Sequence, residues 1–319
     1  MNLNTTAPGT SSIDMTKTEE FASLKQSATD LGITFDPNVR YTAHNVVARG
    51  LRFNVLDWGP LDAPPIVCLH GNHQSAHSWD LVSLHLAANY RVITPDQRGH
   101  GDSEWARDCD YSTDAMAADA LAIMQALDLS DPIVMGHSMG GRNTLVMALE
   151  NPHAAKALVI IDVGPELSER GRKIIGSFIQ ANEEFDDIEA FVANVRNYDP
   201  YRSRQHIERT VKYNLFQRAD GKFVSKCDRA PRRLGHTERG GGHTLTLDAS
   251  AELHMPVLVL RGETSTILEP DAAQRFAHAL PEGELKVVPN CGHNVHSQNT
   301  LGFLEAVRPF LKKHANQND

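Results

Sequence analysis

The stretch DPIVMGHSMGGRNTLVMAL, Asp131 to Leu149, decides the fold. Ile133-Val134-Met135 is an apolar run of strand character that leads into Gly136-His137-Ser138-Met139-Gly140 and then into helical spacing. G-x-S-x-G between a strand and a helix has a mechanical meaning. The turn is too tight for a side chain at either flank. Gly136 and Gly140 remove that collision, so Ser138 can hold a strained backbone conformation with its hydroxyl exposed. The helix beginning at Met139 aims its free N–H groups at the same spot. The competing reading is a serine in an ordinary glycine-rich turn, and the short pattern alone does not separate the two.

Working outward, the flanks repeat the same alternation. Upstream, Tyr41–Ala48 and Leu51–Trp58 read as a hairpin around Arg49-Gly50, and Pro65–Leu69 as a strand buried on both faces. A helix near Ala76–Ala87, a strand at Tyr90–Thr94 and a helix at Thr113–Leu127 follow. Downstream of the serine, Lys156–Asp162 is another buried strand. Pro256–Leu260 and Glu284–Val288 are the last two, with helices near Asp271–Leu280 and Leu301–Lys313. Short apolar strands alternating with amphipathic helices predict a mostly parallel sheet with helices on both faces. Chemistry in such sheets sits at the carboxyl ends of the strands. His70-Gly71, Asp96, Ser138 and Asp162 all fall there.

The alternation stops between Gly164 and about Ser250. Helical segments replace it, and arginines recur from Arg170 to Arg239, Arg202 among them, before the glycine-rich Arg239-Gly240-Gly241-Gly242. We read residues 164–250 as a helical cap inserted into a core formed by 39–163 and 251–319. Residues 1–38 form an N-terminal extension, unstructured to about residue 16 and then helical from Lys17 to Leu31.

Bulk properties narrow the class. A net charge of −9 argues against a general nucleic-acid binder. No apolar run approaches the ~20 residues of a membrane span, and the polar start MNLNTTAPGTSS lacks a signal-peptide core. Cys68, Cys109, Cys227 and Cys291 form no C-x-x-C pair, as expected of reduced thiols in a cytoplasmic protein.

A serine hydroxyl needs a base. His293, in the loop after the last strand, is the best placed of the histidines, and His296 is its rival. The base in turn needs a carboxylate to hold its tautomer. In the turn Arg261-Gly262-Glu263-Thr264-Ser265-Thr266, the third and fourth residues past the glycine are Ser265 and Thr266, neither able to carry charge. Asp162, at the end of the neighbouring strand, is the preferred acid; Glu263 and Glu269 are the alternatives, and a purely structural Asp162 stays open. The N–H groups of Met139 and of Asn72 are the expected oxyanion donors. Arg142, Trp105, Trp79 and the cap arginines are candidates to contact substrate. Asp96 and Arg98 read as braces of the loop between them and Ser103. His70, His73 and His77 have ligand-like spacing without a carboxylate, so no metal is expected. The glycine pattern is not a dinucleotide fingerprint, and no cofactor is expected.

Together, His70-Gly71-Asn72, the run Asp96-Gln97-Arg98-Gly99-His100-Gly101-Asp102-Ser103, Gly136-His137-Ser138-Met139-Gly140-Gly141 and Gly292-His293 resemble the α/β-hydrolase superfamily, in its cap-bearing branch, from Val39 to Lys313. The departure is the missing acid after Gly262. Some members, an acetamidomethylene-succinate hydrolase among them, carry it after the preceding strand, which looks like Asp162 here. The resemblance implies an aspartate at the elbow in dehalogenases and epoxide hydrolases, so Ser138 argues against both. What remains is a serine hydrolase of a carboxylic ester, amide or lactone using Ser138, His293 and Asp162. The alternatives are a carbon–carbon bond hydrolase of a diketone-like compound and a non-hydrolytic or cofactor-free dioxygenase use of the scaffold. The expected partner is a small acyl substrate, with neither nucleic acid nor membrane; a homodimer is left open.

Overall fold

The computed structural model describes residues 12–181, 184–229 and 245–315. Arg232, Arg233 and the Arg239–Gly242 run lie outside them, as do residues 1–11.

Twelve strands fall into two sheets among the described residues. They are β1 (Ile13–Asp14), β2 (Tyr41–Ala48), β3 (Leu51–Trp58), β4 (Pro65–Leu69), β5 (Arg91–Pro95), β6 (Ile133–His137), β7 (Ala157–Ile161), β8 (Glu184–Phe185), β9 (Leu215–Gln217), β10 (Phe223–Ser225), β11 (Val257–Gly262) and β12 (Gly283–Val288). The large sheet runs β1-β2-β3-β5-β4-β6-β7-β11-β12. Its first four strands pair antiparallel, and from β5 onward every pairing is parallel.

Period-two geometry divides each central strand between two apolar layers. Ile66, Cys68, Ile133, Met135, Val159 and Ile161 face a layer with Phe21, Trp79, Leu84 and Phe303. Val67, Leu69, Val134, Leu158 and Ile160 face the other, with Ile123, Val146 and Phe276. The strands read as continuous apolar runs because both faces are covered. One layer comes from the helices α1 (Glu19–Asp30), α2 (Asp80–Leu86) and Thr300–Ala315. The other comes from α3 (Thr113–Ala126), α4 (Met139–Glu150) and Pro270–Ala279. No helix among the described residues is long and apolar enough to cross a membrane.

Two expectations need correcting. Ile13 and Asp14 were to be unstructured, yet they pair with Ala43 and Thr42 of β2. The open edge of β2 offers backbone groups that any adjoining extended dipeptide satisfies. The inserted segment is also not wholly helical. Besides α5 (Glu169–Ala181), α6 (Ile188–Tyr198) and α7 (Arg204–Asn214) it holds the antiparallel sheet β8-β10-β9. Strands of two or three residues show no measurable alternation. The signal was Asp220-Gly221 between β9 and β10, with Gly221 at φ 87° as a tight hairpin needs. The segment has its own apolar centre, including Phe185, Val192, Ile207 and Leu215.

Candidate active site

The site is assembled from the carboxyl ends of β4, β6, β7, β11 and β12. At the end of β6, Ser138 has φ 52° and ψ −114°, a left-handed conformation that a non-glycine residue holds only under constraint. The constraint comes from both sides. Ser138 N donates to Ile161 O at 3.0 Å, and Arg142 N to Ser138 O at 3.1 Å. A Cβ on Gly136 would stand 2.5 Å from Gly140 O, and one on Gly140 would stand 2.3 Å from Leu69 O. The crossing of backbone at the elbow leaves no room for either.

His293 Nε2 lies 2.9 Å from Ser138 Oγ, and His293 Nδ1 lies 2.7 Å from Asp162 Oδ2. An unprotonated Nδ1 facing a carboxylate would be repelled. The tautomer that satisfies both contacts therefore donates from Nδ1 to Asp162 and accepts the Ser138 hydroxyl at Nε2. Asp162 is fully buried. Its Oδ1 accepts from Gly262 N at 3.1 Å, and its Oδ2 also accepts from Ser265 Oγ. Its backbone, at φ 53°, is held by Asp162 N donating to Leu260 O at 2.7 Å. The residue that seemed to be a gap after Gly262, Ser265, is thus a ligand of the carboxylate.

The alternatives lie elsewhere. Glu263 Oε2 accepts from Asn290 N at 2.9 Å. Glu269 is the N-cap residue of Pro270–Ala279, without a side-chain capping bond. His296 is buried, stacked on Trp79 at 4.1 Å between ring centroids, and neither ring nitrogen has a hydrogen-bond partner among the described residues. Burial, then the positive charge of Arg202, push its pKa down to about 3.

Sequence reasoning missed the residues that lash the loops together. His137 Nε2 donates to His293 O at 2.9 Å. Gln74 Oε1 accepts from Gly71 N at 2.9 Å, while Gln74 Nε2 donates to Asn294 Oδ1 at 3.0 Å. His137 lies within the elbow motif, so its position was a signal; nothing local marks Gln74. Burial and the neighbouring His293 hold His137 well below the usual imidazole pKa. Asp96 accepts from Ala76 N at 2.6 Å and from Asn54 Nδ2 and Asp102 N at 2.9 Å. Arg98 forks onto Asp119 and reaches Asp110 O at 2.7 Å.

A cavity of about 120 Å³ opens over Ser138 and His293. Asn72 and Gln74 line it from the core; Phe191, Tyr198, Arg202 and His206 line it from the inserted segment. Met139 is the first residue of α4, so its N–H is one of the donors a helix start leaves without an intrahelical acceptor.

The two substrate contacts expected from sequence are not in the lining. Arg142, in the first turn of α4, is not among the residues that border the cavity. Trp105 is exposed, and its Nε1 donates to Lys226 O at 3.1 Å. Trp79 is core. Of the named arginines, Arg202 does line the cavity. The three spaced histidines have separate partners: His70 Nε2 accepts from Gln97 N at 3.0 Å, His77 faces Asp80 at 3.1 Å, and His73 packs edge-on to His100. Among the described residues no group of three or more His, Cys, Asp or Glu side chains could hold a metal ion.

Comparison with known proteins agrees with this architecture. The sn-1-specific diacylglycerol lipase ABHD11 of Mus musculus is 29% identical over 270 residues, covering 82% of this chain and 85% of that protein. Esterase Rv0045c of Mycobacterium tuberculosis is 26% identical over 306 residues, 93% of this chain and 97% of its own. Its crystal structure superposes with a TM-score of 0.73 at 25% identity, covering 94% of this chain and all of that one (100%). The 2-(acetamidomethylene)succinate hydrolase of Mesorhizobium japonicum is 26% identical over 262 residues, 82% of this chain and 92% of its own. The sequence pattern of the α/β-hydrolase fold family matches residues 64–300, and with the strand order and the elbow already described the chain belongs to that family and is a hydrolase.

Proposed function

We propose that the chain is a serine hydrolase that cleaves a carboxylic ester or amide, lactones included, through an acyl-enzyme. The observation that carries this reading is the continuous relay from Asp162 through His293 to Ser138, at 2.7 and 2.9 Å, opening on the cavity. Ser138 Oγ attacks the acyl carbon as its proton passes to His293 Nε2. The buried Asp162 carboxylate stabilises the imidazolium. The N–H groups of Met139 and Asn72 receive the oxyanion, and losing one such donor costs on the order of 100-fold or more. His293 then protonates the leaving alcohol or amine as its bond to the acyl carbon breaks. Water, deprotonated by His293, attacks the acyl-enzyme, releases the acid and restores the Ser138 hydroxyl. That two of the relatives described above are an esterase and a 2-(acetamidomethylene)succinate hydrolase supports the reading.

A fluorophosphonate probe should label Ser138 in the intact protein, and Ser138→Ala should abolish both labelling and turnover of 4-nitrophenyl esters. Labelling at the wild-type rate in that variant would overturn the assignment. Turnover of a vinylogous diketone without turnover of any activated ester would move the reaction to carbon–carbon hydrolysis.

A further inference from the structure

The inserted segment brings one fixed positive charge to the cavity wall. Among the described lining residues, Arg202 is the one lysine or arginine, and none is an aspartate or glutamate. Arg202 follows the end of α6, borders both this cavity and a neighbouring one beside Gln298 and Leu301, and is tethered through its Nε. Its Nε donates to Asp199 Oδ2 at 2.6 Å. Asp199 is fully buried, and its Oδ1 also accepts from Tyr201 N at 3.2 Å. Using Nε on Asp199 leaves the two terminal amino groups of the guanidinium for another acceptor. The Arg202 side chain is 14% exposed, so that acceptor would meet a partly desolvated, tethered donor pair.

Burial first, and then the Arg202 charge, push the pKa of His206 and of His296 down. Ser78 and Asn214 also border the cavity, but Ser78 Oγ and Asn214 Oδ1 are buried away from its surface, with no hydrogen-bond partner among the described residues.

Resting on the serine-hydrolase reading above, we infer that the substrate is a short acyl compound, of a size that the cavity of about 120 Å³ admits, bearing a free carboxylate, which the terminal amino groups of Arg202 bind while Ser138 takes the acyl carbon. Arg202 acts as the specificity residue. Asp199 is a positioning residue that holds the fork.

The test uses half-esters whose free acid is the only variable: mono-4-nitrophenyl fumarate and mono-4-nitrophenyl adipate, each against its methyl ester. The wild-type protein is expected to favour the free acid at one of the two lengths by at least ~10-fold in kcat/KM, mainly through KM, as charge-assisted hydrogen bonds imply. In Arg202→Gln that preference ratio should collapse toward one, and Arg202→Lys should restore part of it. Because Arg202→Gln strands the buried Asp199, a second measurement uses wild-type protein alone. Free adipate should slow fluorophosphonate labelling of Ser138, and the uncharged, non-acyl 1,6-hexanediol at the same concentration should not. If Ser138 labels normally but the acids show no preference and adipate no protection, the carboxylate inference falls and the hydrolase reading stands. If Ser138 does not label and no ester is turned over, both fall. Equal loss on acid and methyl ester in both Arg202 variants would make Arg202 structural and overturn its role.

Discussion

Ser265, at the turn after β11, donates its hydroxyl to the Asp162 carboxylate at the end of β7, on the oxygen that also receives His293 Nδ1. The two strands are parallel neighbours, so either strand end can deliver a carboxylate to the same imidazole edge. Asp162→Asn keeps the size and tolerates the left-handed backbone, but presents an amide where an anion stood. It is expected to lower kcat by roughly 10³–10⁴-fold, as wrong-tautomer substitutions do. Glu263→Gln should cost little, since that side chain serves Asn290 N. Steady-state kinetics on one activated ester decides, and the reverse ranking would move the acid to Glu263.

Gly140 is a second position where the geometry is unforgiving. Gly140→Ala drives a methyl group into Leu69 O, and backbone cannot step aside as a side-chain tip can. Probe labelling of Ser138 should slow by about 100-fold or more, the cost of misplacing a reacting group. Stability should drop by roughly 1–3 kcal/mol. Gly176→Ala in α5 is the control, because a Cβ there meets nothing. Helix propensity predicts a gain of about 1 kcal/mol.

Much of this geometry was legible in the chain because the relevant physics is local. The bounds of β2, β3 and β4 follow from residue alternation and from turn residues within a few positions. The elbow follows from two glycines around one serine. Asp162 was legible for a different reason: the absence of an acid after Gly262 pointed to the neighbouring strand end. Arg202 could not be singled out from the other arginines of its segment, because its role depends on Asp199 lying beneath it and on how the segment crosses the sheet. Trp105 and Arg142 misled for the same reason. Their nearness in sequence to the site motifs says nothing about which way a helix or loop carries them.

Burial of histidines makes stability depend on pH. His70 and His296 are held to pKa values of about 3, chiefly by burial, while an unfolded imidazole titrates near 6.5. As pH falls from about 6.5 toward 3, the unfolded chain binds protons that the native chain refuses. Stability is therefore fully present above about 6.5 and is lost on acidification, by about 1.4 kcal/mol per pH unit for each ring. His137 and His206 shift in the same direction. Urea midpoints should fall steadily from pH 7 to pH 5, and a flat profile would contradict the burial argument. His296→Phe removes one of these rings and two buried unpartnered nitrogens. It should be neutral or stabilising at pH 7 and comparatively more so at pH 5.

The inserted segment is fastened to the core by a buried charge cluster. Arg209 of α7 donates from Nη1 to Asp80 Oδ2 at 2.8 Å, and His77 Nδ1 faces the same carboxylate at 3.1 Å. Asp80 and Arg209 are both buried, and the His77 ring stacks on Tyr213 of α7 at 3.4 Å. Removing one partner of such a pair leaves a buried charge uncompensated, at a typical cost of about 3–5 kcal/mol. Asp80→Asn should therefore shift the denaturation midpoint strongly without changing the slope. The double variant Asp80→Leu with Arg209→Met removes both charges and should lose less than Asp80→Leu alone, a coupling that the cycle with the two single variants reads directly. Because α7 also carries His206, Thr210 and Asn214 of the cavity wall, Asp80→Asn should raise KM for ester substrates at temperatures where the protein is still folded. Equal stability losses in the single and double variants would show that the cluster acts through packing instead of charge.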